Sequence, residues 1–128
     1  MELSIKVLRL CTVLIVILWA LPAFAQIDPA RLPLLLKHAE HGDALSQYRL
    51  GVMYSNGEGV PQDDFEAAKW FKKAAEQGYS DAQAMLGLMH LYGRGVIRDQ
   101  QKGCALVRAS AEQGDRASIE IYNKHCAK

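Results

Sequence analysis

Apolar residues in the middle of the chain recur at the spacing of an α-helix. After Asp63 they are Ala67, Trp70, Phe71, Ala74 and Ala75. The last four lie three, four, seven and eight positions beyond the first. This spacing places them on one face of a helix. A second stripe, at positions 82, 85, 86 and 89, has the same period. Gly78 and Gly93 end the two predicted helices, because glycine accepts the left-handed conformation that closes a helix.

Polar residues mark where these helices begin. Asp63 is expected to cap the first helix, and Glu66 three residues later would complete a capping box. Ser80 and Gln83 are expected to start the second helix in the same way. The segment from Asp63 to Gly93 therefore predicts two consecutive helices.

The helix pair is repeated along the chain. The phrase Ala-Glu-x-Gly occurs at 39–42, 75–78 and 111–114, a period of 36 residues, and 39–63 laid over 75–99 is identical at nearly half of its positions. A fixed period in this range is typical of stacked-repeat proteins. The sequence predicts an all-α fold, an α/α solenoid (superhelix) of about three helix-hairpin repeats, with units at about 31–62, 63–98 and 99–128.

Small residues are expected where antiparallel helices approach each other. Within one helix pair, Ala74, Ala75 and Gly87 would permit close contact, and Trp70 and Leu86 would fill the space beside them. The turns 57–60 and 93–96 both read Gly-x-Gly-Val, and they would lead to the next unit. Neither continues into a phosphate-binding motif. The predicted repeat-packing residues are Trp70, Ala74, Ala75, Gly78, Leu86, Gly87, Gly93 and Gly95.

The N-terminus has the three parts of a secretory signal peptide. Lys6 and Arg9 precede an apolar run over 10–21, and Ala23-Phe24-Ala25 supplies the small-x-small cleavage pattern. A retained membrane anchor is the alternative, but the run is shorter than the ~20 residues that a bilayer span needs. We expect residues 1–25 to be removed by a cut after Ala25, which leaves a periplasmic or secreted repeat domain at 26–128.

Two cysteines, Cys104 and Cys126, remain after this cleavage. An even number of cysteines in an exported domain favours a disulfide. Gly114 marks the turn of the last predicted helix pair, and the two cysteines lie at similar distances on either side of it. At 1.5 Å per residue they fall within one helical turn of each other, so the sequence predicts a Cys104–Cys126 bridge.

The charge of the processed chain argues against nucleic acid as a partner. The full chain has 15 basic and 14 acidic residues, and the first 25 residues contain two basic and one acidic residue. The remaining domain is therefore formally neutral, whereas phosphate binding needs a basic excess.

The repeat resembles that of a known family. The motif over 67–96 contains Trp70, the pair Ala74-Ala75, Leu86-Gly87 and a Gly-x-Gly-Val turn. It is similar to the Sel-one-like repeat (SLR), a relative of the tetratricopeptide repeat. The resemblance extends over 32–128 and is weakest in the last unit, where Leu106 stands for Trp70. It implies an α/α superhelix that acts as a protein-interaction adaptor, in bacteria often exported and connected with signalling, the envelope or host contact. It supplies no general catalytic residues and no cofactor.

A hydrolase acting on cell-wall or β-lactam substrates is the alternative function, because such activity has been described for some cysteine-rich relatives. That chemistry usually needs Ser-x-x-Lys. Ser46 is followed three residues later by Arg49, and Ser110 by Gln113. His38 and His41 share a helix face, but zinc catalysis needs a third ligand. We therefore predict neither a catalytic nor a metal site.

A basic row on the helix after Asp63 is the candidate contact surface for a partner protein or extended peptide. In tetratricopeptide-like arrays the first helix of each pair lines the concave face. The alternative is a solvated surface with local pairs Glu66–Lys69, Lys72–Glu76 and Lys73–Glu76, each worth ~0.2–0.5 kcal/mol. We expect the processed protein to be a monomer that does not bind membranes. The candidate binding residues are Lys37, Lys69, Lys72, Lys73, Gln77 and Arg108.

Overall fold

The computed structural model describes residues 31–127, so the predicted signal peptide lies outside the described part of the chain. Residues 31–127 form six helices and no strand. Short three-residue turns alternate with longer loops that contain the Gly-x-Gly-Val sequences. The predicted all-α fold is confirmed. The helices are α1 (Arg31–Glu40), α2 (Ala44–Asn56), α3 (Asp64–Glu76), α4 (Ser80–Tyr92), α5 (Gln100–Glu112) and α6 (Arg116–His125).

Aspartate caps start four of these helices. The Asp63 carboxylate accepts hydrogen bonds from the backbone N–H groups of Phe65 and Glu66, at 2.9 and 3.1 Å, which confirms the predicted cap. The Glu66 side chain does not complete the expected capping box, because the Asp63 N–H donates to the Tyr54 carbonyl at 2.8 Å and Glu66 accepts from Lys69. The equivalent caps of the other three helices are Asp43, Asp99 and Asp115.

The expected cap of α4 is wrong. Tyr79 occupies the N-cap position and makes no side-chain hydrogen bond to the helix. The Ser80 hydroxyl instead lies 2.9 Å from the Ser110 hydroxyl of α5. The Ser80 hydroxyl, which was predicted to cap α4, therefore contacts the next unit instead.

The glycines of the long loops have the predicted backbone conformations. Gly93 ends α4 with φ +70° and donates its N–H to the Met89 carbonyl. Gly95 has φ +62°, and a Cβ there would lie 2.1 Å from the Asp64 carbonyl oxygen. Gly95 therefore meets two requirements, a left-handed backbone and a close approach to α3. Val96, in the same loop, is partly buried against the core, as expected.

Helices from neighbouring predicted units pack more extensively than helices of one unit. The α2–α3 and α4–α5 contacts exceed those within α1–α2, α3–α4 and α5–α6. Gly87 lies at such a contact: a Cβ on it would lie 2.7 Å from Val107 Cγ2 and 3.0 Å from the Gly103 carbonyl oxygen of α5. The expectation that Gly87 serves its own helix pair is therefore wrong, since it admits the first helix of the next pair.

The core consists of two clusters that share the α3 helix. One contains Phe71, Leu86 and Met89, together with alanines of α3 and α4. The other contains Trp70, which packs against Ala39, Leu50 and Met53 of the first two helices. Trp70 and Leu86 therefore do not fill the same space, contrary to expectation. Both clusters also include residues of α2, since Tyr48 packs against Phe71 in the first and Leu50 against Trp70 in the second.

The last helix presents polar residues to solvent. Asn123 and Lys124 are exposed, as expected for the end of a repeat array. None of the helices within 31–127 is long and apolar enough to cross a membrane.

Candidate protein-binding groove

A groove crosses three helices in the second half of the domain. Its volume is about 510 Å³, within the usual range of binding cavities. We call it the α3–α5 groove. It is lined by Ala68, Lys69, Lys72, Ala75 and Glu76 of α3, Leu86 and His90 of α4, Val96 of the connecting loop, and Lys102 and Leu106 of α5.

The groove combines an apolar interior with charged groups. Leu86 and Ala75 are buried, whereas Lys69, Lys72 and Lys102 are exposed. Lys72 Nζ lies 3.8 Å from the Glu76 carboxylate. Hydrogen bonding to Glu66 raises the pKa of Lys69. Three ammonium groups against one lining carboxylate give the groove a basic surface.

Two of the three expected local ion pairs are present. Lys69 pairs with Glu66 and Lys72 with Glu76. Lys73 instead places its Nζ 4.1 Å from the centroid of the Trp70 ring, a cation–π contact. The basic row is therefore divided, because Lys73 contacts the Trp70 cluster rather than the groove.

Three other predicted contact residues do not line the groove. Gln77 donates from Nε2 to Gln47 Oε1 at 2.8 Å, which links α2 to the end of α3. Arg108 donates from Nε to the Tyr122 hydroxyl at 3.2 Å, and its guanidinium lies 5.2 Å from the Tyr122 ring centroid. Lys37 is exposed on α1. Of the six candidate contact residues, the structure brings only Lys69 and Lys72 to the groove, and it adds Lys102.

Two glutamine pairs, one in each of two successive repeats, form contacts that the sequence did not predict. Gln47 donates to the Ala39 carbonyl at 2.9 Å while accepting from Gln77. One period later, Gln113 donates from Nε2 to Gln83 Oε1 at 2.8 Å. Gln47 and Gln83 are identical residues at equivalent positions of the repeat, and this identity could have indicated a structural role. It does not indicate which residue binds their side chains.

The structure brings Cys104 and Cys126 together at the ends of the last hairpin. Their Cα atoms are 5.6 Å apart and their sulfur atoms are at bonding distance. The separation lies within the range that a disulfide requires. The predicted bridge would join the second turn of α5 to the C-terminal end of α6.

Several polar side chains of the described residues form hydrogen bonds between helices or to a loop. The Ser110 hydroxyl lies 2.9 Å from the buried Ser118 hydroxyl and 2.9 Å from that of Ser80. His90 Nδ1 lies 3.2 Å from the Ile97 carbonyl oxygen. Among residues 31–127 no group of three or more histidine, cysteine, aspartate or glutamate side chains could hold a metal ion.

A second cavity, of about 640 Å³, lies along α1 and α2. Leu34, which is 56% exposed, and Leu35 contribute apolar surface, and Arg49 and Glu58 lie at its edges. His38 also lines it, so this histidine faces a cavity without acquiring metal-binding partners.

The fold and its period define a class of repeat protein. The profile of the Sel1 repeat matches residues 44–79 and 80–115, which is more than half of the chain. The chain therefore belongs to the Sel1 repeat family. These matches pair α2 with α3 and α4 with α5, the helices with the more extensive contacts. The period is the predicted one, but the matched units begin at a different helix from the predicted units.

Solved structures with this fold share substantial sequence identity with the chain. A Sel1 repeat protein from Oxalobacter formigenes is 38% identical over 76% of this chain and 28% of its own, with a TM-score of 0.75. The protein c5321, described as a protective antigen of uropathogenic Escherichia coli strains with an SLR fold, is 38% identical over 66% of this chain and 18% of its own, with a TM-score of 0.65. The chain thus spans less than a third of either protein.

A third structure matches the chain over a similar share of both lengths. Cysteine rich protein B (hcpB) of Helicobacter pylori is 26% identical over 75% of this chain and 73% of its own, with a TM-score of 0.69. A comparison with curated protein sequences gave no significant match.

Proposed function

We propose that this protein is an exported, non-enzymatic interaction module. It acts as an adaptor or scaffold that holds an envelope, signalling or host protein against its concave helical face. The observation that carries the proposal is the α3–α5 groove, a cavity open to solvent with an apolar interior and three lysines around it. Sel1 repeats are typically protein-binding modules, and repeat arrays generally bind partners along extended surfaces.

The chemistry of the described residues favours binding over catalysis. A nucleophilic serine needs an activating base, and the carboxylate beside the Ser80–Ser110–Ser118 cluster, Asp115, is the N-cap of α6. Turnover of nitrocefin or peptidoglycan by the purified protein, abolished by a single substitution, would establish the hydrolase alternative.

Export is supported by two independent features. The N-terminal sequence has the parts of a cleavable signal, and the paired cysteines suit an oxidising compartment. The similarity to a Helicobacter pylori protein named for its cysteines points the same way. We expect mass spectrometry of protein from its native host to find a mature N-terminus at Gln26. An intact N-terminus in the membrane fraction would mean an anchored protein instead.

The binding face can be tested by reversing its charge. We expect the double substitution Lys69→Glu with Lys72→Glu to reduce capture of the partner from envelope extract about tenfold or more. The expected loss of binding comes from reversing two charges at the groove. Exposed ion pairs of this kind contribute only ~0–1 kcal/mol to the stability of the fold. The melting temperature should therefore change little.

The matched control reverses two exposed basic residues elsewhere, Arg116→Glu with Lys124→Glu. This variant has the same net charge but leaves the groove intact, so it should retain the partner. Equal capture by both double variants would assign binding to another surface.

A further inference from the structure

The α3–α5 groove lies where the preceding unit places a tryptophan side chain. Trp70 packs into a cluster with Ala39, Leu50 and Met53, and Leu32, Leu36, Tyr54 and Val60 surround it. A shift of one repeat period, 36 residues, carries this set onto the second half of the domain. Seven of the shifted positions line the groove: Ala68, Lys72, Ala75, Leu86, His90, Val96 and Leu106.

The groove is open because the side chains at several of these positions differ. Three positions keep their residue type between the two units, namely Ala39 and Ala75, Leu50 and Leu86, and Val60 and Val96. Three others become smaller: Leu106 stands for Trp70, Ala68 for Leu32 and His90 for Tyr54. Lys72, which stands for Leu36, extends to solvent. Phe71, which stands for the cluster residue Leu35, is larger but is buried and does not line the groove. The backbone framework is thus repeated, while the indole that fills the first site has no counterpart in the second.

The first site also defines what the second can accept. Trp70 is 9% exposed, so in the first unit this framework encloses nearly all of an indole side chain. Aromatic side chains bury 150–250 Å² each and are the commonest anchors of protein interfaces. The buried Leu86 and Ala75 offer such an anchor the same apolar contacts that Leu50 and Ala39 offer Trp70.

The charges at the opening restrict the partner further. Lys69, Lys72 and Lys102 line the groove with one carboxylate, Glu76. The Lys69–Glu66 and Lys72–Glu76 pairs are exposed, and such pairs are weak enough for an incoming carboxylate to replace. Acidic residues beside the anchor would therefore meet ammonium groups that can turn towards them.

We infer that the α3–α5 groove is a seat for an aromatic side chain, tryptophan above all, of a partner segment that carries acidic residues next to it. The inference rests on the proposed protein-binding function and names the chemistry that the groove recognises. The partner supplies in trans the side chain that Trp70 supplies in cis one unit earlier.

Fluorescence anisotropy with a labelled peptide tests this seat. The probe is Gly-Asp-Glu-Trp-Asp-Gly, with one control peptide that replaces tryptophan by alanine and another that replaces the acids by their amides. We expect the purified protein to bind the probe, and each control peptide to bind at least about tenfold more weakly. Equal binding of the probe and the alanine peptide would overturn the inference.

The substitution Leu106→Trp restores the residue of the preceding unit and should close the seat. We expect it to weaken probe binding at least tenfold with an unchanged or raised melting temperature. Ala68→Leu, which also restores the preceding unit's residue, is a second variant in case the tryptophan does not fit. Leu45→Trp is the matched control, because it adds an indole on partly exposed α2 outside the groove. Undiminished probe binding by folded Leu106→Trp and Ala68→Leu would overturn the inference.

The same variants separate this inference from the proposed function. If a specific envelope partner binds the wild-type and Leu106→Trp proteins equally, the seat is wrong while the interaction function stands. If the protein binds the probe more tightly than both control peptides but captures no protein from envelope extract, the interaction function fails and the seat belongs to another ligand. A wild-type dimer that Leu106→Trp dissociates, measured by sedimentation, would assign the seat to a second copy and overturn the inference.

Discussion

At the scale of single residues, glycines allow neighbouring helices to approach closely, because glycine has no side chain. Gly51 and Gly87 occupy equivalent positions in α2 and α4, and each faces the first helix of the next pair. A Cβ at Gly51 would lie 2.6 Å from the Phe71 ring, and one at Gly87 would lie 2.7 Å from Val107 Cγ2. The repeated glycine therefore marks the contact between successive units.

Gly87→Ala should destabilise the protein by about 1–3 kcal/mol, because the added methyl group overpacks a close helix contact. On an exposed helix the same change would stabilise by ~1 kcal/mol through helix propensity. Chemical denaturation measures the difference. Ala105→Gly, at an exposed position of α5, is the control for propensity alone and should cost ~1 kcal/mol. A neutral or stabilising Gly87→Ala would mean that α4 and α5 separate freely.

The aspartate caps should make stability depend on pH in the acid range. Hydrogen bonds from the Ser118 side chain and backbone lower the pKa of Asp115 below its ordinary 3.8, and those of Ser46 do the same for Asp43. A lowered folded-state pKa gives stability that is present above about 3.8 and lost as pH falls through the lower value. The melting temperature should therefore fall below pH 4.

Asp115→Asn tests this dependence, because asparagine also caps helices but does not titrate. We expect the variant to melt near the wild-type temperature at pH 7 and to lose less stability between pH 5 and pH 2.5. Circular dichroism melts at each pH provide the measurement. Identical pH profiles for the two proteins would exclude Asp115 as a contributor.

At the scale of helices, hydrogen bonds of glutamine side chains connect neighbouring repeat units, in addition to the contacts of the apolar clusters. Gln47 is 4% exposed and links the Ala39 carbonyl of α1 to Gln77 at the end of α3. Gln83 and Gln113 repeat the link between α4 and the end of α5, in a more exposed position. The glutamine pairs therefore join three consecutive helices at the side of the short turns.

Gln47→Ala should cost about 0.5–1.5 kcal/mol, because it removes the buried hydrogen bond to the Ala39 carbonyl, which keeps only the 3.1 Å bond from the Gly42 N–H, and it removes the acceptor of Gln77. Gln113→Ala removes the exposed member of the second pair and should change stability by less than ~0.5 kcal/mol. Urea denaturation of both variants compares the two sites. Equal costs would show that burial does not decide the strength of these links.

At the scale of the whole molecule, the last hairpin has the weakest apolar packing. Ser118 is the only buried residue of α6, and the apolar Ile119 of that helix is 41% exposed. A Cys104–Cys126 bridge with a sequence separation of 22 residues would hold this hairpin together at its open end. Its stabilisation would be about 3 kcal/mol on the chain-entropy account.

Replacement of both cysteines by serine should therefore lower the free energy of unfolding by about 3 kcal/mol and accelerate amide hydrogen exchange most strongly in α6. The helices α2 and α3, remote from the bridge, serve as the internal control. Thiol titration of unfolded protein from an oxidising compartment should find no free thiol. Two free thiols in each processed chain would contradict the bridge.

Much of the fold could be predicted from sequence because helix signals are local. The apolar stripe around Trp70, the Asp63 cap and the glycines after each helix all act within a few residues. The exact period then repeats each signal, which strengthens the prediction of a solenoid. Ser80 is the exception. The sequence allows its hydroxyl either to cap α4 or to contact another helix, and in the structure it contacts Ser110 of α5.

The sequence by itself determined the helices, their order, the period and the family. Only the tertiary structure decided which helix faces which. Periodicity indicates that a face is buried but not against what, so Gly87 was assigned to the wrong partner helix. The α3–α5 groove likewise arises from Ala68, His90 and Leu106, residues of three helices. Whether smaller side chains leave a space depends on the packing distance that the surrounding helices impose, and that distance is a property of the assembled molecule.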